Sequence, residues 1–343
     1  MKGLELAREY YETFGKPMLE KEFPHLLPFI AAGLFGSGSE CFGYDDGISQ
    51  DHDFEPGFCI LLPGEDIVSR RDAFLLERAY AKLPMEFMGF KRSRLSPVGG
   101  NRHGVMRTAE VFLEKTGTPD GSLTADMWLR LPEQALYEAV NGEIFYDGYG
   151  EVSAVRKKLE YYPEDIRRKK LAGHLLLMAQ AGQYNYPRLI SRGEKAAAQM
   201  AVFEFVKSAM NAVFLLNRRY MPYYKWGFRA MRDLAELAEL SLPFETLITS
   251  GNDKDPAEEK CALIEKIAED TAALLQKQQI IKASGTPKRE LRKVISIQDW
   301  QVELPERPDE TQQSGTDLER LAFFVNDSIT DASVRNLHIL EGV

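Results

Sequence analysis

The feature that most constrains this chain is a change of texture near residue 150. Before it, short apolar runs alternate with turn-rich stretches and a few helical patterns. From about Val152 onward the strand signals vanish and long segments of helical period take over. A chain patterned this way predicts an α+β protein, a small mixed-sheet domain followed by an all-helical bundle.

In the first part, Gly3 to Glu20 reads as a helix, and Pro28 to Phe35 as a strand feeding the turn Gly-Ser-Gly-Ser. Phe58 to Leu62 reads as a second strand and Ile67 to Lys82 as a helix. Gly104 to Leu113 is expected to be a third strand, because Val105, Val111 and Phe112 suit a pleated surface. A helix starting at Pro132 is expected to run to Gly142. In the second part, helices are predicted over Val155 to Tyr161, Glu164 to Ala181, Gly193 to Asn217, Phe228 to Leu240 and Pro256 to Lys282. Within Gly193 to Asn217, Val202, Val206, Ala209, Val213 and Leu216 form one stripe, as a bundle helix requires. Leu304 to Ser314 reads as a linker and Leu318 to Val325 as a terminal helix. The expected domains are residues 1–150, 151–300 and a short segment over 301–343.

Composition narrows the function classes. No apolar run looks long enough to span a bilayer, and Met1 to Tyr11 lacks the apolar core of a signal peptide, so a cytoplasmic protein without a membrane partner is expected. Cys41, Cys59 and Cys261 are odd in number and widely spaced, which fits reduced thiols and offers no C-x-x-C zinc site. A net charge of −9 disfavours nucleic acid bound through overall charge.

The chemistry is concentrated between Leu34 and Phe54. Asp51 and Asp53 are two apart, so in an extended segment both carboxylates share a face while His52 points away. Such a pair repels unless a cation sits between, and Mg²⁺ commonly combines one or two carboxylates with substrate phosphates. Upstream, Gly36 and Ser37 form a strand-to-helix turn where exposed amides favour an anion. Ser37 is then expected to hydrogen-bond a terminal phosphate while the aspartates hold the metal on the same triphosphate.

A Gly-Ser followed by Ser-x-Asp-x-Asp, here Ser49, Asp51 and Asp53, resembles the nucleotidyltransferase superfamily of DNA polymerase β and the antibiotic adenylyltransferases. The run Leu216 to Trp226, with the helices around it, looks like an uncharacterised bacterial branch of nucleotidyltransferase-like proteins. The resemblance implies that Asp51 and Asp53 are ligands of Mg²⁺ or Mn²⁺ and that a neighbouring strand supplies a third carboxylate. Glu110 is the choice for it and Asp126 the runner-up. The implied activity moves a nucleoside monophosphate, by analogy AMP from ATP, to an acceptor with release of pyrophosphate. A small molecule or a protein suits an acidic chain better than RNA as acceptor. Pro56-Gly57 departs from the pattern, since it requires the carrying strand to be short, bulged or at an edge.

Other residues have two readings each. Lys225 either reaches nucleotide phosphates or stacks on Trp226 at a helix start; Tyr220, Tyr223 and Tyr224 either line a pocket or pack. Asp45 and Asp46 reach a metal or, more simply, make a turn, and Lys91 to Arg94 is read as a solvated basic loop. Two rival functions remain: a catalytically silent nucleotide-binding or regulatory module, and an antitoxin-like interaction protein working through its helical half.

Overall fold

The computed structural model describes residues 1–48, 54–92, 103–281 and 317–343. Ser49, Asp51, His52, Asp53, Arg94 and the expected linker Leu304 to Ser314 lie outside the described residues. The chain is α+β, with a small mixed sheet near its start and helices after it. It divides into two compact units, residues 1–166 with 218–230 and 342, and residues 167–217 with 231–341 and 343.

The first unit opens with α1 (Gly3–Tyr10), a π-turn (Tyr11–Gly15) and α2 (Lys16–Glu22), which together match the single helix expected over Gly3 to Glu20. β1 (Ala31–Leu34) and β2 (Cys59–Leu62) are antiparallel and fully buried. α3 (Arg70–Ala81) follows, capped by Ser69, whose side chain accepts the Asp72 amide. A small hairpin, β3 (Glu86–Phe87) and β4 (Phe90–Lys91), precedes β5 (Gly104–Arg107), which pairs parallel to β2. Then come α4 (Thr108–Thr116), α5 (Ala125–Arg130), α6 (Glu133–Val140), β6 (Glu143–Asp147) and α7 (Glu151–Lys158). The sheet order is β5-β2-β1-β6.

Two expectations for this unit are corrected. The strand over Gly104 to Leu113 stops at Arg107, and the chain turns into α4 with Thr108, Phe112 and Thr116 buried along one side. That spacing of four is helical, and the β-forming side chains Val111 and Phe112 yield to it. Arg92 is not simply solvated, because its Nη1 donates to the Tyr10 hydroxyl at 3.1 Å and its guanidinium lies 4.7 Å from the Tyr80 ring centre. β6 and α5 have no counterpart in the sequence reading.

The core of this unit is aromatic. Tyr10, Tyr11, Phe58 and Tyr80 are all buried, and the Tyr11 and Phe58 rings meet edge to face. The Tyr80 hydroxyl accepts the Phe58 amide at 3.0 Å and donates to the Phe58 carbonyl at 2.8 Å. One side chain thereby satisfies both backbone groups of the residue that leads into β2, fixing where that strand begins.

The second unit is helical. It contains most of α8 (Glu164–Met178), a π-turn (Ala179–Asn185), α9 (Tyr186–Ser191), α10 (Lys195–Leu216), α12 (Ser241–Thr249), α13 (Lys254–Lys277), α14 (Leu318–Asp327) and α15 (Ala332–Arg335). α11 (Tyr224–Met231) belongs almost wholly to the first unit. The expected helix over Phe228 to Leu240 is thus broken, with Leu237 at a φ of 61° where the chain turns into a 3-10 segment. The stripe Val202, Val206, Ala209, Val213 and Leu216 on α10 is buried throughout. By length and composition α10 reaches the range of a membrane span, contrary to the sequence reading, but most of it is buried as the core helix of its unit.

Candidate functional site

Strand directions determine which residues share an end of the sheet. β1 runs toward Leu34 while Gly33 faces Cys59, so the Gly36–Ser37 turn leaves the sheet where β2 enters it from Phe54. β5 is parallel to β2 with Gly104 opposite Cys59, which brings His103 to the same end. β6 is antiparallel to β1 with Glu143 opposite Leu34, which brings Asn141 and Gly142 there too. Four separate pieces of chain converge on one edge of a small sheet.

The turn itself is locked. Gly36 is buried at a φ of 109°, a conformation glycine adopts without strain. Asn141, which ends α6, accepts the Gly36 amide through Oδ1 at 2.8 Å and donates through Nδ2 to the Gly36 carbonyl at 2.8 Å. Gly142 donates to the Cys41 carbonyl at 3.0 Å, and a side chain at Gly142 would collide with the Leu34 carbonyl. Ser37 stays exposed at the tip. Residues 38–44 make successive hydrogen-bonded turns, Cys41 to Gly38 and Tyr44 to Ser39 among them, so the helix implied by a strand-to-helix turn at Gly36–Ser37 does not form. The amide of Gly36 is therefore committed to Asn141, and the anion affinity expected of that amide has to come from elsewhere.

Cations surround this turn. Lys115, near the end of α4, brings its Nζ to 3.1 Å from the point where a Gly36 Cβ would stand, and it pairs with Glu138 at 3.2 Å. Arg156 on α7 donates through Nη2 to the Val140 carbonyl at 2.7 Å and lies 5.3 Å from the Phe35 ring centre. Burial lowers the Arg156 pKa to about 10, which still leaves it charged at neutral pH. On the β2–β5 side, Glu55 Oε1 lies 3.2 Å from His103 Nδ1, both side chains being mostly buried.

Glu110 stands apart from this group. It lies exposed in the first turn of α4, which starts from the Arg107 end of β5, opposite the end that carries the Gly36 turn. α4 then returns along the sheet, and Lys115 rather than Glu110 reaches the turn. Asp126 is exposed on α5 and pairs with Arg130 at 2.6 Å. Among the described residues no group of three His, Cys, Asp or Glu side chains is placed to hold a metal ion.

The remaining candidates have identifiable work. Asp45 is buried and accepts the Gly3 amide at 2.7 Å, serving the start of α1, while Asp46 accepts the Ile48 amide at 3.0 Å in a tight turn. Lys225 sits exposed on α11 with its Nζ 5.1 Å from the Trp226 ring centre. On the same helix, Arg229 donates to the Tyr44 carbonyl at 2.7 Å, and Trp226 packs on Tyr44 at 5.5 Å between centroids. α11 is thus tied to the loop that leads from the Gly36 turn. Tyr220 is buried with its hydroxyl donating to the Leu159 carbonyl at 3.0 Å; Tyr223 and Tyr224 are exposed and contact each other. Cys41 and Cys59 are buried free thiols, the latter pushed up to about 12 by burial, so both stay protonated.

Asn141, Lys115, Arg156, Glu55 and His103 were not singled out in the sequence. Only Glu55 had a visible signal: Asp51, Asp53 and Glu55 alternate at the period of a strand face.

Residues 128–227 match a family described as a domain of unknown function, DUF4037. The matched segment carries Asn141, Arg156 and Lys225 but neither Gly36–Ser37 nor Glu110. No curated protein matches the chain.

Proposed function

We propose that the Gly36 end of the first unit binds a nucleoside triphosphate and transfers its nucleoside monophosphate, by analogy AMP, to an acceptor oxygen with release of pyrophosphate. The carrying observation is the convergence there of the Gly36–Ser37 turn, the start of β2, and the cations Lys115 and Arg156. A turn lined by Lys115 and Arg156 suits a triphosphate, and the spacing of Asp51 and Asp53 in the sequence suits a divalent ion that shares its charge.

Asp51 and Asp53 are assigned as the metal ligands from their spacing. The described residues do not by themselves fit a metal site, and Glu110, exposed on α4, is given no part in one. When bound, Mg²⁺ would neutralise the phosphate chain and polarise the reacting phosphoryl group. Asn141 holds the turn rigid, Ser37 stands exposed at its tip, and Lys225 is carried on a helix fastened to the adjoining loop. The free, protonated thiols are compatible with a cytoplasmic setting.

The place of Glu110 favours a second reading, in which the same end binds the nucleotide without turning it over. One experiment separates the two. The full chain is incubated with each labelled nucleoside triphosphate and Mg²⁺, and protein and small molecules are analysed by mass. A nucleotidyl adduct with released pyrophosphate supports transfer. Bound, unchanged nucleotide supports the silent module, and no retained nucleotide of any kind overturns both.

A further inference from the structure

A guanidinium carries five donors and no acceptor, and a cation drawn out of water is normally matched by a carboxylate or a full set of oxygen acceptors. Arg156 has neither. Nη2 has the Val140 carbonyl, Nη1 is buried without a hydrogen-bond partner, and no carboxylate among the described residues forms an ion pair with it. Its two anchors are informative. Phe35 and Val140 immediately precede Gly36 and Asn141, the two residues that clasp each other through the paired 2.8 Å hydrogen bonds. The unmatched charge is therefore within one residue of the turn on both of its walls.

Lys115 comes to the same turn on α4, with its Nζ beside Gly36. Its carboxylate partner is already shared, because Glu138 also accepts from Gln134 at 2.9 Å. Among these three side chains two cations meet one carboxylate, Arg156 keeps a buried Nη1 without an acceptor, and the amide of Gly36 is used by Asn141. An anionic oxygen at the turn would supply the acceptor that Arg156 Nη1 lacks.

We propose that Arg156 and Lys115 form a polyphosphate-binding site at the Gly36 turn, with Glu138 holding Lys115 in place and competing with the anion for it. That the anion is the phosphate chain of a nucleotide rests on the proposed function. The anion site itself does not.

The test uses the full chain and inorganic tripolyphosphate without metal or nucleotide, by calorimetry at low salt, alongside the transfer assay. Wild type is expected to bind. Arg156→Gln and Lys115→Gln each weaken binding about tenfold or more, as loss of a hydrogen bond to a charged group does. Glu138→Gln releases Lys115 and tightens binding several-fold, a gain that a purely structural role for these residues would not produce. No binding by wild type, or unchanged affinity in Arg156→Gln and Lys115→Gln, overturns the proposal. If Arg156→Gln does not fold by circular dichroism, Lys115→Gln and Glu138→Gln decide: opposite shifts support the site, and equal affinities overturn it. Tripolyphosphate binding that follows these variants in a chain without nucleotidyl transfer keeps the site and overturns the catalytic reading. Transfer that is indifferent to both cations does the reverse.

Discussion

Lys169 in the second unit and Arg156 in the first are both cations drawn into the fold, and their surroundings differ. Lys169 Nζ donates to Asn326 Oδ1 at 2.8 Å and to the carbonyls of Arg335 at 3.2 Å and Leu337 at 2.6 Å. Lys260 is treated alike, with Gln199 Oε1, the Ser250 carbonyl and Asn252 Oδ1 around its three donors. An ammonium group has three N–H donors, so both lysines are saturated and serve as internal cross-links. Arg156 has one carbonyl and an aromatic face, and Lys115 one shared carboxylate. Closed polar networks hold a fold together; open ones at a chain convergence are available for a ligand. On this comparison the buried cations of the helical unit serve stability, whereas those at the sheet end border the proposed site.

The largest effect of a substitution at neutral pH is expected where a closed network is broken. Lys169→Met removes three charged hydrogen bonds made by a buried ammonium group to Asn326, Arg335 and Leu337 and is expected to lower unfolding free energy by about 3 kcal/mol or more. Denaturant unfolding of the full chain checks this, and tripolyphosphate affinity should not move. A loss under 1 kcal/mol would break the contrast from the structural side.

Next comes the clasp of the turn. Asn141→Ala removes both hydrogen bonds to Gly36 and is expected to cost about 2 kcal/mol. Unlike the lysine variant, it should also weaken nucleotide binding, because Gly36 is no longer held beside Lys115.

A third test uses pH. His174 is buried near Lys170 and Lys207, and burial first, then those charges, bring its pKa down to about 3. An unfolded histidine titrates near 6.5, so below that pH the unfolded state takes up a proton that the folded state refuses. Stability from this group is complete above about pH 6.5 and is lost as pH falls toward 3, by about 1.4 kcal/mol per pH unit in that window. Urea midpoints measured across the window should show the slope, and His174→Leu should flatten it.

The smallest effect is expected at Glu110. As an exposed side chain on α4, Glu110→Gln should change stability by less than about 0.5 kcal/mol and leave nucleotide affinity as it was. A large loss of transfer in this variant would return the third carboxylate to Glu110 and remove the distinction between the two ends of the sheet.

What the sequence made legible follows the range of the interactions involved. α10 was readable because twenty-two residues repeat one buried stripe, and β2 because Pro63 and Gly64 close a short apolar run. α4 was misread because Val105, Val111 and Phe112 suit a strand equally well, and nothing local marks the change of period at Thr108. β6 went unseen because its five residues are all only partly buried and give no alternating signal. The site divides in the same way. Gly36 and Ser37 are a local motif, whereas Asn141 reaches Gly36 across 105 residues and Arg156 follows on a later helix. Pairings of that range are set by sheet register and helix return, which the sequence of either partner does not carry.

The most direct test of the central claim, that the Gly36 end of the sheet is a metal-assisted triphosphate site, is the affinity of the full chain for ATP with and without Mg²⁺ when Asp51→Asn and Asp53→Asn are combined. The double variant is expected to fold as wild type does, keep its affinity for metal-free tripolyphosphate, and lose the gain that Mg²⁺ confers on ATP binding, together with any nucleotidyl transfer. An undiminished Mg²⁺ gain, with transfer intact, would contradict the account.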